Sequence, residues 1–134
     1  MLEHIAIWTS DLEEMKTFYC SYFNGQAGEK FCNDTEFNAH FESYFLSFGE
    51  GSRLELMRMP TIPEGERTPG YEAAGLTHIA FSVADRACVD ELVRRAHSEG
   101  RTVVLEPHRT ADGYYEACIL DPDGNRVEIT VLPE

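Results

Sequence analysis

Residues 2–8 read L-E-H-I-A-I-W, and residues 76–82 read L-T-H-I-A-F-S. Both stretches have the alternation of a β-strand, and both place a histidine where a buried strand would favour valine. Leu2, His4, Ile5, Ala6 and Asp11 recur as Leu76, His78, Ile79, Ala80 and Asp85 at a constant offset of 74. Further on, G-S-R-L-E-L at 51–56 recurs as G-N-R-V-E-I at 124–129, at an offset of 73. The chain is written twice. Each half opens on a His-bearing strand and closes on a Glu-bearing one, with 51 residues from His to Glu in the first half and 50 in the second.

Within each half the pattern reads strand, helix, then three strands. Ser10-Asp11-Leu12-Glu13 has the S-x-x-E form of a capping box. Leu12, Met15, Tyr19 and Tyr22, with Phe18 and Phe23, form one apolar helical face, and Gly25 is the expected stop. Strands follow at about 27–33, 39–48 and 52–59. The segment 60–75, rich in proline and glycine, reads as a linker. The second half gives a strand at 76–84, a helix at 86–99 ending at Gly100, and strands near 102–106, 114–120 and 125–132. D-P-D-G at 121–124 is a hairpin turn signal. The expected fold is α+β: one domain over 1–134, with module 1 at 1–59, the linker at 60–75 and module 2 at 76–132.

Composition bounds the function. The 134 residues suffice to bury a core, and 43% apolar content is that of a globular chain. The net charge of −13 repels phosphate backbones, so no nucleic-acid partner is expected. There is no apolar run long enough to span a membrane and no leader pattern. Cys20, Cys32, Cys88 and Cys118 fall at irregular spacings and read as reduced thiols of a cytoplasmic protein. No P-loop, G-x-G-x-x-G or G-x-S-x-G motif occurs.

Strand periodicity sorts the repeated residues onto two faces. Ile5 and Ile7 oppose His4, Ala6 and Trp8; Ile79, Phe81 and Val83 oppose His78, Ala80 and Ser82. Leu54 and Leu56 oppose Arg53, Glu55 and Met57; Val127, Ile129 and Val131 oppose Arg126, Glu128 and Thr130. One face suits the helices, and the other resembles a cavity wall carrying His and Glu. A lone strand histidine is more often a hydrogen-bonded core or surface residue than a ligand, and a lone glutamate is usually solvated. The same pair repeated on equivalent strands changes the balance. His4, Glu55, His78 and Glu128 supply two imidazoles and two carboxylates, a set suited to Zn²⁺, Ni²⁺, Co²⁺ or Mn²⁺. His40, His97 and His108 have no repeat partner.

This layout resembles the vicinal-oxygen-chelate superfamily, which includes glyoxalase I, bleomycin-resistance proteins and extradiol dioxygenases. The likeness spans nearly the whole chain, and H-I-A-F-S-V and D-P-D-G-N-R-V-E-I carry it. It implies two tandem βαβββ modules forming an incomplete barrel around one divalent metal ion, Zn, Ni or Co, held by His4, Glu55, His78 and Glu128. The His/Glu/His/Glu set is most similar to that of bacterial glyoxalase I. The likeness therefore implies a lactoylglutathione lyase-like enzyme acting on a hemithioacetal or related α-hydroxycarbonyl. Proton transfer would pass through a metal-bound enediolate, with Glu128 as first choice for the base and Glu55 as second. It also implies a homodimer with the metal sites at the interface and a small-molecule substrate.

The alternatives are a related metalloenzyme, an epimerase or thiol transferase, and a non-catalytic ligand-sequestering protein of bleomycin-resistance type. Trp8 stands where bacterial glyoxalase I usually has an arginine. Arg58 and Met59 stand near its usual asparagine. The glutathione clamp is thus unmatched, and Trp8 points to an apolar or aromatic substrate wall.

Overall fold

The computed structural model describes residues 1–34, 40–65 and 74–133. The chain divides into two compact units, Met1–Arg67 and Thr68–Glu134. The linker expected at 60–75 has neither helix nor strand over 60–65, and its residues 66–73 lie outside the described ones.

The first unit contains β1 (His4–Trp8), α1 (Leu12–Phe23), β2 (Gln26–Ala27), β3 (Phe31–Asn33), β4 (Phe41–Ser47) and β5 (Arg53–Arg58). Its sheet runs β1-β5-β4-β2, with β3 also on β4. β1 and β5 are parallel; the other pairings are antiparallel. The second unit contains β6 (His78–Ser82), α2 (Arg86–Ser98), β7 (Val103–Arg109), β8 (Tyr115–Leu120) and β9 (Arg126–Val131). Its sheet runs β6-β9-β8-β7, again with the outer pair β6 and β9 parallel. Both sheets are open, and the architecture is the expected α+β pair of tandem modules.

Alternation decides which face is buried. Leu54, Leu56, Val127 and Ile129 are all buried, and Ile5 and Ile7 are more covered than their neighbours on β1. Leu12, Met15, Phe18, Tyr19 and Tyr22 of α1 lie against β4 and β5, while Val89, Val93 and Ala96 of α2 lie against β7, β8 and β9. Removing a Met15- or Leu56-sized side chain from water contributes about 1.5–3 kcal/mol, and burials of this kind hold each helix to its sheet.

Two local expectations shift. The cap of α1 is Asp11, one residue after Ser10, and its carboxylate accepts from the Glu14 backbone N–H at 3.0 Å. The helix then stops at Asn24, whose φ of 55° is left-handed; Gly25 is needed for space, since a Cβ there would stand 2.8 Å from Phe48 Cε1. The strand expected at 27–33 is two short strands. From Ala27 to Phe31 is four steps, whereas their partners Leu46 and Ser43 are three apart. The extra residue breaks the ladder as a bulge does, and Gly28 bridges it by donating to the Phe45 carbonyl at 3.0 Å. Residue 39, the start of the strand expected over 39–48, lies outside the described ones.

The D-P-D-G turn joins β8 to β9. Asp121, buried, accepts from the backbone N–H groups of Asp123 (3.0 Å) and Asn125 (2.8 Å) and from Asn125 Nδ2 (2.7 Å). Gly124 takes the φ of +81° that the turn requires. This turn sets the register that places Glu128.

Candidate metal centre

Parallel pairing of the first and last strands brings each His and Glu together. In module 1, His4 lies beside Arg53 and Ala6 beside Glu55, so the histidine and glutamate are diagonal neighbours on one face. His4 Nε2 stands 3.6 Å from Glu55 Oε2. Module 2 repeats the arrangement: His78 lies beside Arg126, Ala80 beside Glu128, and His78 Nε2 stands 3.4 Å from Glu128 Oε2. In both pairs the imidazole keeps about two-fifths of its side chain exposed, and the carboxylate is mostly covered.

These spacings are informative. An N–H···O hydrogen bond closes to roughly 2.7–3.2 Å, and both pairs stand beyond it. Two ligands of one divalent ion, each at roughly 2.1 Å and about 90–120° apart, are separated by roughly 3.0–3.6 Å. The donor atoms therefore fit neighbouring positions around a cation. On the parallel-paired side of each glutamate the neighbour is the small alanine, Ala6 or Ala80. Among the described residues of either module, no third His, Cys, Asp or Glu joins the pair closely enough to hold a metal. Each module offers two candidate ligands.

The surroundings of the two pairs differ. His4 Nδ1 is hydrogen-bonded to the Glu3 carboxylate, which also accepts from Arg53 Nε at 2.8 Å. Those bonds, the one from His4 foremost, hold the Glu3 carboxyl below its usual range. Such a carboxylate fixes the tautomer that leaves Nε2 free to ligate. Phe45, across from Glu55, meets the His4 ring edge-on at 5.3 Å and lies 4.1 Å beneath the Arg53 guanidinium. Further along the same face, Trp8 is 41% exposed and meets Phe41 at 6.0 Å, and Phe41 meets the exposed Phe31 at 6.2 Å. These rings flank the module 1 pair with an open aromatic wall.

In module 2 the wall is polar. Ser82 and Thr130 take the places of Trp8 and Met57, and Glu116 lies across from Thr130. Burial, followed by the negative charges of Glu128 and Asp112, pushes the Glu116 carboxyl up, while His108 and His78 oppose the rise. His108 Nε2 is 3.8 Å from Glu116 Oε1. Cys118, across from Glu128, is buried, and burial raises its thiol.

Glu3, Phe45, Glu116 and His108 are absent from the sequence-derived site. The period of two along 115–120 separates Glu116 and Cys118 from Ala117 and Ile119, which is the signal for Glu116. Glu3 has no comparable signal. His97, without a repeat partner, pairs with Glu106 at 2.8 Å on the surface.

Comparison with known proteins bears on the same arrangement. YwkD of Bacillus subtilis (strain 168) is 32% identical over 130 residues, covering 96% of this chain and 94% of that one. The trypanothione-dependent glyoxalase I of Leishmania major shares the fold with a TM-score of 0.71 at 22% identity, over 98% of this chain and 86% of its own. The lactoylglutathione lyase of Agrobacterium tumefaciens does so with a TM-score of 0.65 at 24% identity, over 98% and 92%. The sequence pattern of one family matches residues 1–129, both modules and all four repeated His and Glu positions included. The chain belongs to the glyoxalase/bleomycin resistance protein/dioxygenase superfamily.

Proposed function

We propose that this protein is a metal-dependent lyase or isomerase of glyoxalase I type. Its substrate would be a hemithioacetal or a related α-hydroxycarbonyl. One observation carries the reading: the His–Glu pair occurs twice, at equivalent register positions, with donor spacings of 3.6 and 3.4 Å. His4 and Glu55 with His78 and Glu128 would form one four-ligand site, either within a chain or across a homodimer interface. Ni²⁺, Co²⁺ or Zn²⁺ suits that donor set. The bound ion would supply a Lewis acid that stabilises negative charge on substrate oxygen.

The chain's own residues supply the rest. The imidazoles of His4 and His78 would direct Nε2 at the site, with the Glu3 hydrogen bond orienting the first. Glu128 takes the proton from the carbon beside the carbonyl and returns it to the neighbouring carbon, with Glu55 as the second candidate. Ala6 and Ala80 leave room for the substrate's adjacent oxygens. The aromatic wall of Trp8, Phe41 and Phe31 favours an apolar group on the module 1 side. Four free thiols accord with a cytoplasmic setting, and no helix among the described residues is long and apolar enough to cross a membrane.

Metal content of untagged protein tests the reading, with His78→Ala and Glu128→Ala alongside wild type. Close to one divalent ion per chain, lost in both variants, is expected. Wild type reconstituted with Ni²⁺, Co²⁺ or Zn²⁺ should then isomerise hemithioacetals or α-hydroxycarbonyls. A wild type that takes up no metal on reconstitution would overturn the enzyme reading in favour of ligand sequestration. Sedimentation of a metal-loaded monomer would remove the dimeric arrangement.

A further inference from the structure

Module 2 contains a cleft of about 930 Å³ beside the start of α2 and the ends of β6, β7 and β9. Arg86 and Arg109 line it, together with Tyr115 and an apolar floor of Val131, Leu132 and Pro133. Two things set these arginines apart. Lys16, Lys30, Arg53 and Arg58 in module 1, and Arg94, Arg95 and Arg101 in module 2, each pair with a carboxylate. Among the described residues, neither Arg86 nor Arg109 has a carboxylate within ion-pair distance, in a chain where acidic residues outnumber basic ones 24 to 11. Both also face one concavity.

The cleft is built to hold them. The Arg86 guanidinium lies 5.4 Å from the Tyr115 ring centre, and Tyr115 is anchored through its hydroxyl to Asp90 at 2.7 Å. Gly113, with φ of +101°, leaves Pro133 against the wall; a Cβ there would stand 3.4 Å from Pro133 Cβ. Asp85 also lines the cleft, but its carboxylate is engaged by the Cys88 backbone N–H at 3.0 Å. Asp112 leaves the local charge near balance, which favours a small ligand with one acidic group over a polyanion. A guanidinium fork matches carboxylate and phosphate oxygens two at a time.

We propose that this cleft binds the oxyanion group of a small molecule, a carboxylate or a phosphate, between Arg86 and Arg109. Its apolar portion rests on Val131, Leu132 and Pro133. Ser82, on the rim, shares the strand face of His78 four residues away, roughly 13 Å along β6. Under the function proposed above, the group bound here is the acidic end of the substrate. That last assignment rests on the metal reading, whereas anion binding does not.

Calorimetric titration of chelator-treated full chain, at low ionic strength, with succinate and separately with inorganic phosphate tests the site. Saturable one-to-one binding of at least one is expected. Affinity should fall about tenfold in Arg109→Ala and be lost in the Arg86→Ala/Arg109→Ala double variant. Arg94→Ala, whose guanidinium already pairs with Glu91, should bind as wild type does. Succinate alone would assign a carboxylate ligand, and phosphate alone a phosphate. Arg109→Glu gives the same reading without disturbing the Arg86–Tyr115 contact. No saturation by either anion, or unchanged affinity in the double variant and in Arg109→Glu, overturns the site. Metal uptake measured on the same samples separates this failure from failure of the metal reading.

Discussion

Under the proposed function, Glu3 offers a sharp test of how the His–Glu pair in module 1 is held. Its carboxylate takes the His4 Nδ1 hydrogen and a second hydrogen bond from Arg53 Nε at 2.8 Å. Replacing Glu3 with Gln or Ala frees the imidazole to take either tautomer and to rotate. Carboxylates that orient ligating histidines change metal affinity by about 10–100-fold. The Glu3 side chain is 60% exposed, and water replaces part of what it supplies, so the lower end, about tenfold, is expected. Module 2 has Thr77 at the matching position, and His78 pairs with Glu128. Thr77→Val should therefore leave affinity unchanged. Competition of the protein with a chromophoric chelator for Co²⁺ reads both variants on one scale. The Glu3 carboxyl is held low, so the difference should persist unaltered from pH 6 to 8. Glu3→Ala binding Co²⁺ as tightly as wild type would refute the orienting role, and equal losses in Glu3→Ala and Thr77→Val would refute the asymmetry.

Three further outcomes concern the scaffold. Asp11→Ala should cost about 1 kcal/mol in urea unfolding and Ser10→Ala much less, because Asp11 holds the Glu14 N–H. Ile129→Ala, at a fully buried position of β9, should cost about 2–5 kcal/mol and lower the melting temperature without removing either member of the His78–Glu128 pair. Hydrogen bonds from Lys16, Lys30 and Tyr44 lower the Glu13 carboxyl from 4.5 to about 2, so its stabilisation is present above about pH 5 and fades as pH falls toward 2. A shift of that size would be worth over ~3 kcal/mol in a dry site. With the Glu13 side chain 54% exposed, screening leaves about 1 kcal/mol or less, measured as the gap between wild type and Glu13→Gln melts that closes near pH 2.

The repeat made the essential geometry legible. A period of two assigns His4 and Glu55, or His78 and Glu128, to the face opposite the helix, and parallel pairing of the outer strands then brings them within 3.6 and 3.4 Å. What stayed hidden depends on register and on competition between similar groups. Ser10 and Asp11 can each cap a helix, and only backbone geometry chooses between them. The single extra residue between Ala27 and Phe31 carries no compositional mark, yet it splits one expected strand into two. Glu116 enters the polar face only because β8 pairs with β9 so that Cys118 meets Glu128. Glu3 contributes through a side-chain contact that no periodicity encodes.

The parallel pairing of each module's first and last strands also governs when its His and Glu can meet. Among the described residues β1 pairs only with β5, and β6 only with β9, so the first-made strand waits for the last. At a synthesis rate of about 5–20 residues per second, the 51 residues from His4 to Glu55 take roughly 3–10 s to appear. Until then the histidine strand has no partner and the carboxylate does not exist. A chain halted before residue 55 carries no His–Glu pair, and one halted before 128 carries a single pair. Under the proposed function, a four-ligand site would therefore form only after residue 128 has been made, and long-range closure of each module would be a slow step in reaching it.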